Sequence, residues 1–304
     1  MIRSFAQLKQ AALASDPVTV SVASAEKKEV LDSIVQARQS GLIDRAILTG
    51  DRDKIAQLLD QYRIDSSGLD IRPAADFTVA ASLAVQAVSG GEADILVKGA
   101  LDSSFYFKAI LNRDWGLRSS SVLSNITVFE QASYHKLLTI TDNAIVLNPD
   151  LKQKRAIIEN TRPLFQALGI TPAKVAMVAA IEKENSAMPA TVDAITLRNE
   201  NRAGELSDFV IDGPFGYDAC ICSESALKKG IKDSPVCGDP DLLLMPTMEA
   251  ANILGKAYKF HGGADSGGLV LGARAPVVLN SRSDSAARRL NSMMLAKIVA
   301  LYGT

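Results

Sequence analysis

The segment APVVLNSRSDS, residues 275–285, changes abruptly from apolar to polar residues. Its aliphatic half predicts a short buried strand, and a helical pattern begins directly after its polar half. Backbone N–H groups at the start of that helix and the guanidinium of Arg282 could converge on a phosphate group beside Ser281. Alternatively, Ser283 or Asp284 simply caps the helix and Arg282 is solvated. The segment alone leaves both interpretations open.

Further polar side chains follow other predicted strands. Ligands of open α/β sheets bind beyond the carboxyl ends of the strands, so these residues are candidates for the same site. Lys98 lies between DILV and Gly99, where a lysine either binds an anion or closes the strand in solvent. Asp212 begins a Gly-Pro turn, in which its carboxylate could instead bond local amides.

These strand ends carry several cations, amides and hydroxyls, whereas their carboxylates are scattered over different strands. This distribution favours an anionic ligand, most naturally a phosphate, over a divalent metal. We therefore expect no metal site. The residues concerned are Lys98-Gly99, Ser124-Asn125, Thr141 to Asn143, Glu182 to Asn185, Asp212 to Pro214, and Asn280 to Arg282.

The elements that position these residues form a repeating pattern. Short β-branched runs alternate with helical stretches along almost the whole chain, as in VTVSVA (18–23), RAILTG (45–50) and ADILVKGA (93–100). In the second half the pattern continues through KVAMVAAI, DFVIDGP, PDLLLMP and GGLVLGA. This alternation predicts an α/β fold with Rossmann-like parallel sheets and helices on both faces.

A division into two lobes is predicted from one irregular stretch. The strand in LLTITDNAIVLNPD, residues 137–150, has no helix of its own and runs into a Pro-Asp turn, which favours a hinge there. The chain length also suits two medium-sized α/β lobes. We expect a first lobe of residues 1–137 plus 275–304 and a second lobe of residues 138–274.

The composition excludes several classes of protein. The chain has 33 Lys and Arg residues against 34 Asp and Glu residues, so no global field attracts nucleic acid or an anionic membrane. No apolar run reaches the roughly 20 residues of a membrane helix, and the amino terminus lacks a secretory pattern. We therefore expect a soluble, cytoplasmic protein whose three cysteines, Cys220, Cys222 and Cys237, are buried and reduced.

Familiar nucleotide-binding and catalytic motifs are missing. The glycine-rich loop HGGADSGG (261–268) lacks the lysine of a P-loop and does not match G-x-G-x-x-G. This argues against an ordinary nicotinamide dehydrogenase and against a nucleoside triphosphatase. The two histidines, His135 and His261, have no metal-binding or triad-like setting, so we assign them no role.

Eight motifs taken together resemble the phosphate acetyl/butyryl transferase family, and most closely its phosphate butyryltransferase branch. They occur in the same order over about residues 90–300, which is far more specific than any single motif. They are KGALDS, SNITVF, TDNAIVLNPDLKQK, EKENSAMPATVDA, DGPFGYDAC, KKGI, GDPDLLLMPTMEAANIL and VVLNSRSDS.

The resemblance implies reversible transfer of a short acyl group between coenzyme A and phosphate, with CoA as a substrate and no tightly bound cofactor. It also implies an active-site cleft between two lobes, as in the isocitrate and isopropylmalate dehydrogenases, and a homodimer. It places Ser281 and Arg282 at the active site. The strand ends, considered together with this resemblance, predict as substrate-binding residues Lys98, Gly99, Ser124, Asn125, Asp142, Asp212 and Asn252.

Two positions depart from the family pattern. Arg288 stands seven residues after Ser281, where the acetyltransferase branch is expected to have an active-site aspartate, so Asp284 is the nearest carboxylate. Ala251 replaces the usual glycine before Asn252. The alternatives are an acyl-carrier-protein phosphate acyltransferase, for which we see no basic docking patch, and a catalytically idle protein that binds CoA or phosphate.

Overall fold

The structure, a computed structural model, describes residues 1–281 and 284–302. Its strands are β1 (Val18–Ala23), β2 (Ile43–Gly50), β3 (Leu69–Pro73), β4 (Ile95–Lys98), β5 (Ser124–Glu130), β6 (Leu138–Thr141), β7 (Ala173–Val178), β8 (Phe209–Phe215), β9 (Leu242–Leu244), β10 (Asp265–Leu271) and β11 (Val277–Val278). Its helices are α1 (Phe5–Leu13), α2 (Lys28–Gln39), α3 (Arg52–Gln61), α4 (Phe77–Ser89), α5 (Ser103–Ile110), α6 (Leu151–Asn160), α7 (Arg162–Ala167), α8 (Pro189–Arg202), α9 (Tyr217–Ile221), α10 (Ser223–Lys228), α11 (Met248–Phe260) and α12 (Ala286–Tyr302).

The chain divides into two compact units. One, which we call the central unit, consists of Val122–Ser266 together with Met1–Ser4. The other, the flanking unit, consists of Phe5–Ser121 and the described residues from Gly267 onward. The sequence places the divisions after residues 137 and 274 instead. Residues 122–137 belong with the central unit because β5 pairs with β6.

The flanking unit contains the strand order β3-β2-β1-β4-β11-β10. Strands β3, β2, β1, β4 and β11 run parallel, so their carboxyl ends lie at one edge of the sheet. Helix α12 packs against α1 and α2, and α4 packs against α5 and against β1 and β2. Strand β1 is buried at nearly every position, as expected of a parallel strand that is covered on both faces.

The central unit contains the strand order β5-β6-β9-β7-β8. Here β6, β9, β7 and β8 run parallel, while β5 runs antiparallel to β6. The core lies where α11 packs on this sheet, and the rings of Phe129 and Tyr258 meet edge to face with centroids 5.2 Å apart. Of the three free thiols, Cys220 is buried, whereas Cys222 and Cys237 are only half-buried.

The prediction of an α/β fold is confirmed, but the expectation of wholly parallel sheets is wrong at two strand pairs. Besides β5 and β6, the pair β10 and β11 is antiparallel. The connections are residues 131–137 and 272–276, and both are shorter than the dozen or more residues of a parallel crossover. Each pair therefore has to be a hairpin.

Helix starts follow local capping chemistry. Asp51 accepts hydrogen bonds from the backbone N–H groups of Asp53 and Lys54 at the start of α3, and Asp150 forms a capping box with Gln153 at the start of α6.

Within the described residues, no helix combines the length and the apolar character needed to cross a membrane.

Candidate active site

The carboxyl ends of β1, β4 and β11 bring the candidate residues of the flanking unit to one edge. Ala23 pairs with Lys98, and Val97 pairs with Val278, so Ser24, Gly99 and Ser281 follow neighbouring strands. This arrangement agrees with the predicted positions of Lys98, Gly99 and Ser281 at strand ends. It provides an ammonium group, a hydroxyl group and closely spaced backbone at one edge of a sheet.

Gly99 lies in direct contact with the backbone that leaves β1. Its N–H donates to Ala23 O at 2.9 Å, and the N–H of Ala100 donates to Ser24 O at 2.6 Å. A Cβ atom at Gly99 would lie 1.9 Å from Ser24 O, so only glycine fits without moving the backbone. Ser24 itself is buried and has a φ of 63°, a left-handed conformation that costs a non-glycine residue energy.

Glu26 stabilises the segment around Ser24 through hydrogen bonds. Its carboxylate accepts hydrogen bonds from the Ser24 hydroxyl at 2.5 Å and from the Asp51 N–H at 2.7 Å. A Cβ atom at Gly50 would collide with the same carboxylate, so glycine leaves the room that Glu26 occupies. Neither Ser24 nor Glu26 was predicted from the sequence. The glycine at the end of RAILTG was the available signal, but it does not indicate which residue would fill the space.

The backbone of Ser281 is held by residues from the start of α12. Asp284 Oδ2 accepts the Ser281 N–H at 2.8 Å, and the N–H of Asp284 donates to Ser281 O at 3.1 Å. Arg289 Nη2 also donates to Ser281 O, at 3.2 Å. The hydroxyl of Ser285 accepts the N–H of Arg288 at 3.3 Å, so Ser285 caps the first turn of α12.

The alternative role of Ser283 or Asp284 as the cap of the last helix can be compared with the structure for Asp284 only. The Asp284 carboxylate accepts the Ser281 N–H, and the Ser285 hydroxyl accepts the Arg288 N–H in the first turn of α12. Arg282 and Ser283 lie outside the described residues. The predicted role of Arg282 in binding phosphate therefore stays a prediction.

In the central unit, Ser124 and Asn125 begin a strand rather than ending one, which corrects the sequence prediction. They still reach the carboxyl edge of the parallel strands, because β5 is antiparallel to β6 and its start lies beside the end of β6. Ser124 is buried, and its hydroxyl accepts a hydrogen bond from Asn160 Nδ2 at 3.1 Å.

Asp142 follows β6 and is buried, with 3% of its surface exposed. Its carboxylate accepts the backbone N–H groups of Asn125 at 2.9 Å, Ala144 at 2.8 Å and Ile145 at 2.8 Å. Burial raises the pKa of the Asp142 carboxyl above its ordinary value, although these backbone hydrogen bonds favour the ionised form. The carboxylate therefore joins the start of β5 to the loop after β6.

An amide network continues from Asp142. The side chain of Asn125 donates to Asn143 Oδ1, and Asn143 Nδ2 donates to Thr127 Oγ1 at 2.9 Å. Asn252 Nδ2 from α11 donates to Asn143 O at 3.0 Å. Asn125, Asp142 and Asn252 are thus gathered in one cluster, with Asn143 as the link between them.

Asp212 lies apart from this cluster. It is inside β8, and the order β5-β6-β9-β7-β8 places β8 four strand spacings from β5, roughly 19 Å at ~4.8 Å each. Its Oδ1 accepts the N–H of the adjacent Gly213 at 3.0 Å. This is the local hydrogen bond that the sequence offered as the alternative to substrate binding. Asp212 also lines a cavity of about 270 Å³ together with Arg198 and Arg202.

The chain was compared with known proteins. A family model described as "Phosphate acetyl/butaryl transferase" matches residues 64–297. A phosphate butyryltransferase of Clostridium acetobutylicum is 35% identical over 300 residues, which cover 99% of both chains. A phosphate acetyltransferase of Thermotoga maritima is 34% identical over 92% of this chain and 95% of its own length. A solved branched-chain phosphotransacylase from Enterococcus faecalis V583 superposes with a TM-score of 0.82 at 26% identity, covering 94% of this chain and 99% of that one.

Proposed function

The chain belongs to the phosphate acetyl/butyryl transferase family, and from this premise we propose that it transfers a short acyl group reversibly between coenzyme A and phosphate. The reaction converts acyl-CoA and phosphate into acyl phosphate and CoA. The observation that carries the assignment to particular residues is the sheet edge of the flanking unit, where Lys98, Gly99 and Ser281 follow neighbouring parallel strands.

In the direction of acyl-CoA synthesis, the CoA thiolate attacks the carbonyl carbon of the acyl phosphate. A tetrahedral oxyanion forms, the bond from the acyl carbon to the phosphate oxygen breaks, and phosphate leaves with that electron pair. A free thiol with a pKa of ~8.5 is only slightly ionised at neutral pH, so its proton needs an acceptor. No covalent acyl-enzyme is required.

We assign the roles as follows. Lys98 and Arg282 hold the phosphate through their positive charges, with the close backbone at Gly99 beside them. The Ser281 hydroxyl donates to the developing oxyanion. Asp284, which holds the Ser281 N–H at 2.8 Å, orients this serine and receives the thiol proton. Each role is part of the proposal.

The residues of the central unit have less direct roles in this proposal. We propose that Asn125 and Asn252 face substrate across a scaffold that Ser124 and Asp142 hold in place, because the Asp142 carboxylate already accepts three backbone N–H groups. The predicted contact of Asp212 with substrate remains a prediction. The cavity that it lines contains Arg198 and Arg202 but also Glu182 and Asp233, so its charge does not favour an anionic ligand.

The finer expectations also belong to the proposal. From the family resemblance, we propose an isocitrate dehydrogenase-like fold with two lobes and the active site in the cleft between them. We further propose a cytoplasmic homodimer that uses CoA as a substrate and carries no tightly bound cofactor. Acyl groups from acetyl to branched five-carbon chains are the expected substrates.

A thiol assay tests the activity. The protein is incubated with acetyl-CoA or butyryl-CoA, with and without phosphate, and released CoA is measured with a thiol reagent. A reaction without acyl-CoA corrects for the three protein thiols. Phosphate-dependent release is expected. A parallel reaction uses an acyl group on acyl-carrier protein in place of acyl-CoA. Thiol release in that reaction alone would indicate an acyl-carrier-protein phosphate acyltransferase, and CoA binding without release would indicate an idle protein.

Three variants test the residue roles in the same assay. Arg282→Ala should raise KM for phosphate steeply, whereas the exposed Arg113→Ala should not. Asp284→Asn should lower turnover. Ser281→Ala should lower turnover by about 10²- to 10³-fold, the usual effect of removing one oxyanion donor. Unchanged kinetics in Arg282→Ala and Asp284→Asn would contradict the assigned roles.

A further inference from the structure

The hydroxyl group of Ser292, which is fully buried in α12, joins three segments of the flanking unit. It accepts the N–H of Gly268 in β10 at 2.9 Å and Asn280 Nδ2 at 3.0 Å, and it donates to Arg288 O at 3.0 Å. A serine hydroxyl offers one donor and two acceptor positions, so these three bonds use its full capacity.

The absence of a side chain at Gly267 makes this contact possible. A Cβ atom at Gly267 would lie 2.9 Å from the carbonyl carbon of Asn291 and 2.9 Å from the N atom of Ser292. Any larger residue would therefore push α12 away from β10. With glycine at this position, Gly268 N–H comes within hydrogen-bonding distance of the helix side chain. Gly267 thus sets the distance between β10 and α12.

Asn280 connects this junction to the candidate active site. Strand β11 ends at Val278, so its ladder does not extend to Asn280, which directly precedes Ser281. The bond to Ser292 fixes Asn280 on one side of Ser281, and Asp284 and Arg289 hold the Ser281 backbone on the other. The position of Ser281 is thereby set by α12 from both directions.

We propose that Asn280 and Ser292 are positioning residues for the acyl transfer, a role that rests on the proposed function. Ser292 is buried and holds Asn280, and Asn280 holds Ser281 at the distance where its hydroxyl stabilises the oxyanion. A displacement of about 1 Å in such a group lowers turnover by roughly 10²-fold. Ser292 acts on Ser281 through Asn280, whereas its bonds to Gly268 and Arg288 O tie β10 to α12.

The test compares Ser292→Ala, Asn280→Ala and the double variant with the wild-type enzyme. Both single variants should lower kcat by roughly 10- to 100-fold, while KM for acyl-CoA stays within about twofold. Because the two residues act through one hydrogen bond, the double variant should be no slower than the slower single variant. Asn280 is only half-buried, so Asn280→Ala keeps the test valid if Ser292→Ala fails to fold.

Ser33→Ala is the matched control. Ser33 is a buried serine in α2 of the same unit, and its hydroxyl donates within its own helix to Val30 O at 2.7 Å. Its loss removes one hydrogen bond of a buried serine and should reduce the free energy of unfolding, by less than the loss of Ser292, without changing kcat. Urea unfolding of all four variants measures that cost.

Three results would overturn the inference. A normal kcat in Ser292→Ala and Asn280→Ala, while Ser281→Ala is slow, would show that Ser281 needs no such support. An equal loss of kcat in Ser33→Ala would show a general effect of stability. Fully additive losses in the double variant would show that the two residues act independently. A wild-type protein without phosphate-dependent CoA release would instead contradict the proposed function, and the positioning role with it.

Discussion

The two strand-end clusters contain similar types of residue but use them differently. In the flanking unit, Lys98 and Ser281 follow neighbouring strands, and the backbone of Gly99 is packed against Ser24. In the central unit, the buried carboxylate of Asp142 accepts hydrogen bonds from three backbone N–H groups. The first cluster presents groups that suit an anion, whereas the second holds its own loops together.

The difference teaches that the type of a residue at a strand end does not determine its role. A buried carboxylate needs hydrogen-bond donors, and a nearby loop can supply them as readily as a ligand can. The decisive observation is therefore which atoms already accept hydrogen bonds in the folded chain. By that criterion we infer that Asp142 belongs to the scaffold. The edge around Lys98 is where we propose the chemistry.

The largest expected effect is that of Gly99→Ala. The new Cβ atom would lie 1.9 Å from Ser24 O, a backbone atom that cannot rotate away. The strand end has to shift, which should lower the free energy of unfolding by about 3 kcal/mol or more. It should also abolish most of the phosphate-dependent CoA release, because Lys98 moves with its neighbour. Urea unfolding and the thiol assay measure the two effects.

Gly41→Ala is the control for this prediction. Gly41 lies in the same unit and has a φ of 76°, but a Cβ atom there meets nothing within 4 Å. Its substitution should cost only the left-handed conformation, about 1–2 kcal/mol, with normal turnover. If Gly99→Ala behaved like Gly41→Ala, the close approach at the edge of the flanking unit would have no functional role.

Much of the fold follows from local sequence patterns. Strand β1 occurs at VTVSVA as predicted, and α12 follows the last strand. Strand β3 was missed, since LDIRP is short and only half-buried. The antiparallel start at Ser124 was also missed, because an apolar run indicates a strand but not its direction. Only the short connection to β6 reveals that direction.

The candidate site was predictable in part. The strand-end rule identified Lys98, Gly99 and Ser281 because it depends on chain order alone. It could not identify Ser24 or Ser292, whose roles depend on partners that are distant in sequence, such as Asn280 and Gly268 for Ser292. It also grouped Asp212 with the others, since strand order within a sheet cannot be deduced from spacing.

Asp142→Asn tests the central half of the comparison and should have a moderate effect. One carboxylate oxygen becomes an NH₂ group, so at least one of the three backbone N–H groups loses its acceptor in a buried place. We expect the free energy of unfolding to fall by about 2 kcal/mol, in the range for an unsatisfied buried donor. KM for phosphate and for acyl-CoA should stay close to the wild-type values.

Asp150→Asn provides the matched control for this substitution. Asp150 caps α6 in the same unit, and asparagine is nearly as good a helix cap as aspartate. The free energy of unfolding of Asp150→Asn should therefore stay close to that of the wild type. A large rise in KM for Asp142→Asn, with unchanged stability, would mean that Asp142 contacts substrate and that the two clusters are alike after all.

The smallest expected effect concerns a charge cluster at the opposite edge of the central sheet. Asp239 precedes β9 and is bonded to Lys174 at 2.6 Å, His135 at 2.7 Å and Lys136 at 2.9 Å, and Lys136 also pairs with Asp241 at 2.6 Å. Burial by itself would raise the pKa of the Asp239 carboxyl, but hydrogen bonds with Lys174, Lys136 and His135 hold it well below its ordinary value.

This lowered pKa predicts a specific pH dependence of stability. The unfolded chain binds a proton at Asp239 near pH ~3.9, so the contribution of the cluster is complete above that pH and is lost as the pH falls toward the lower folded value. Asp239→Asn should therefore flatten the acid side of the unfolding free energy between about pH 5 and 3, measured with urea. The exposed Asp114→Asn should leave that slope unchanged.

Because these charges serve folding, CoA release at neutral pH should be the same in both variants. Reduced turnover in Asp239→Asn at neutral pH would give the charges of the central unit a part in the chemistry that we assign to the flanking unit.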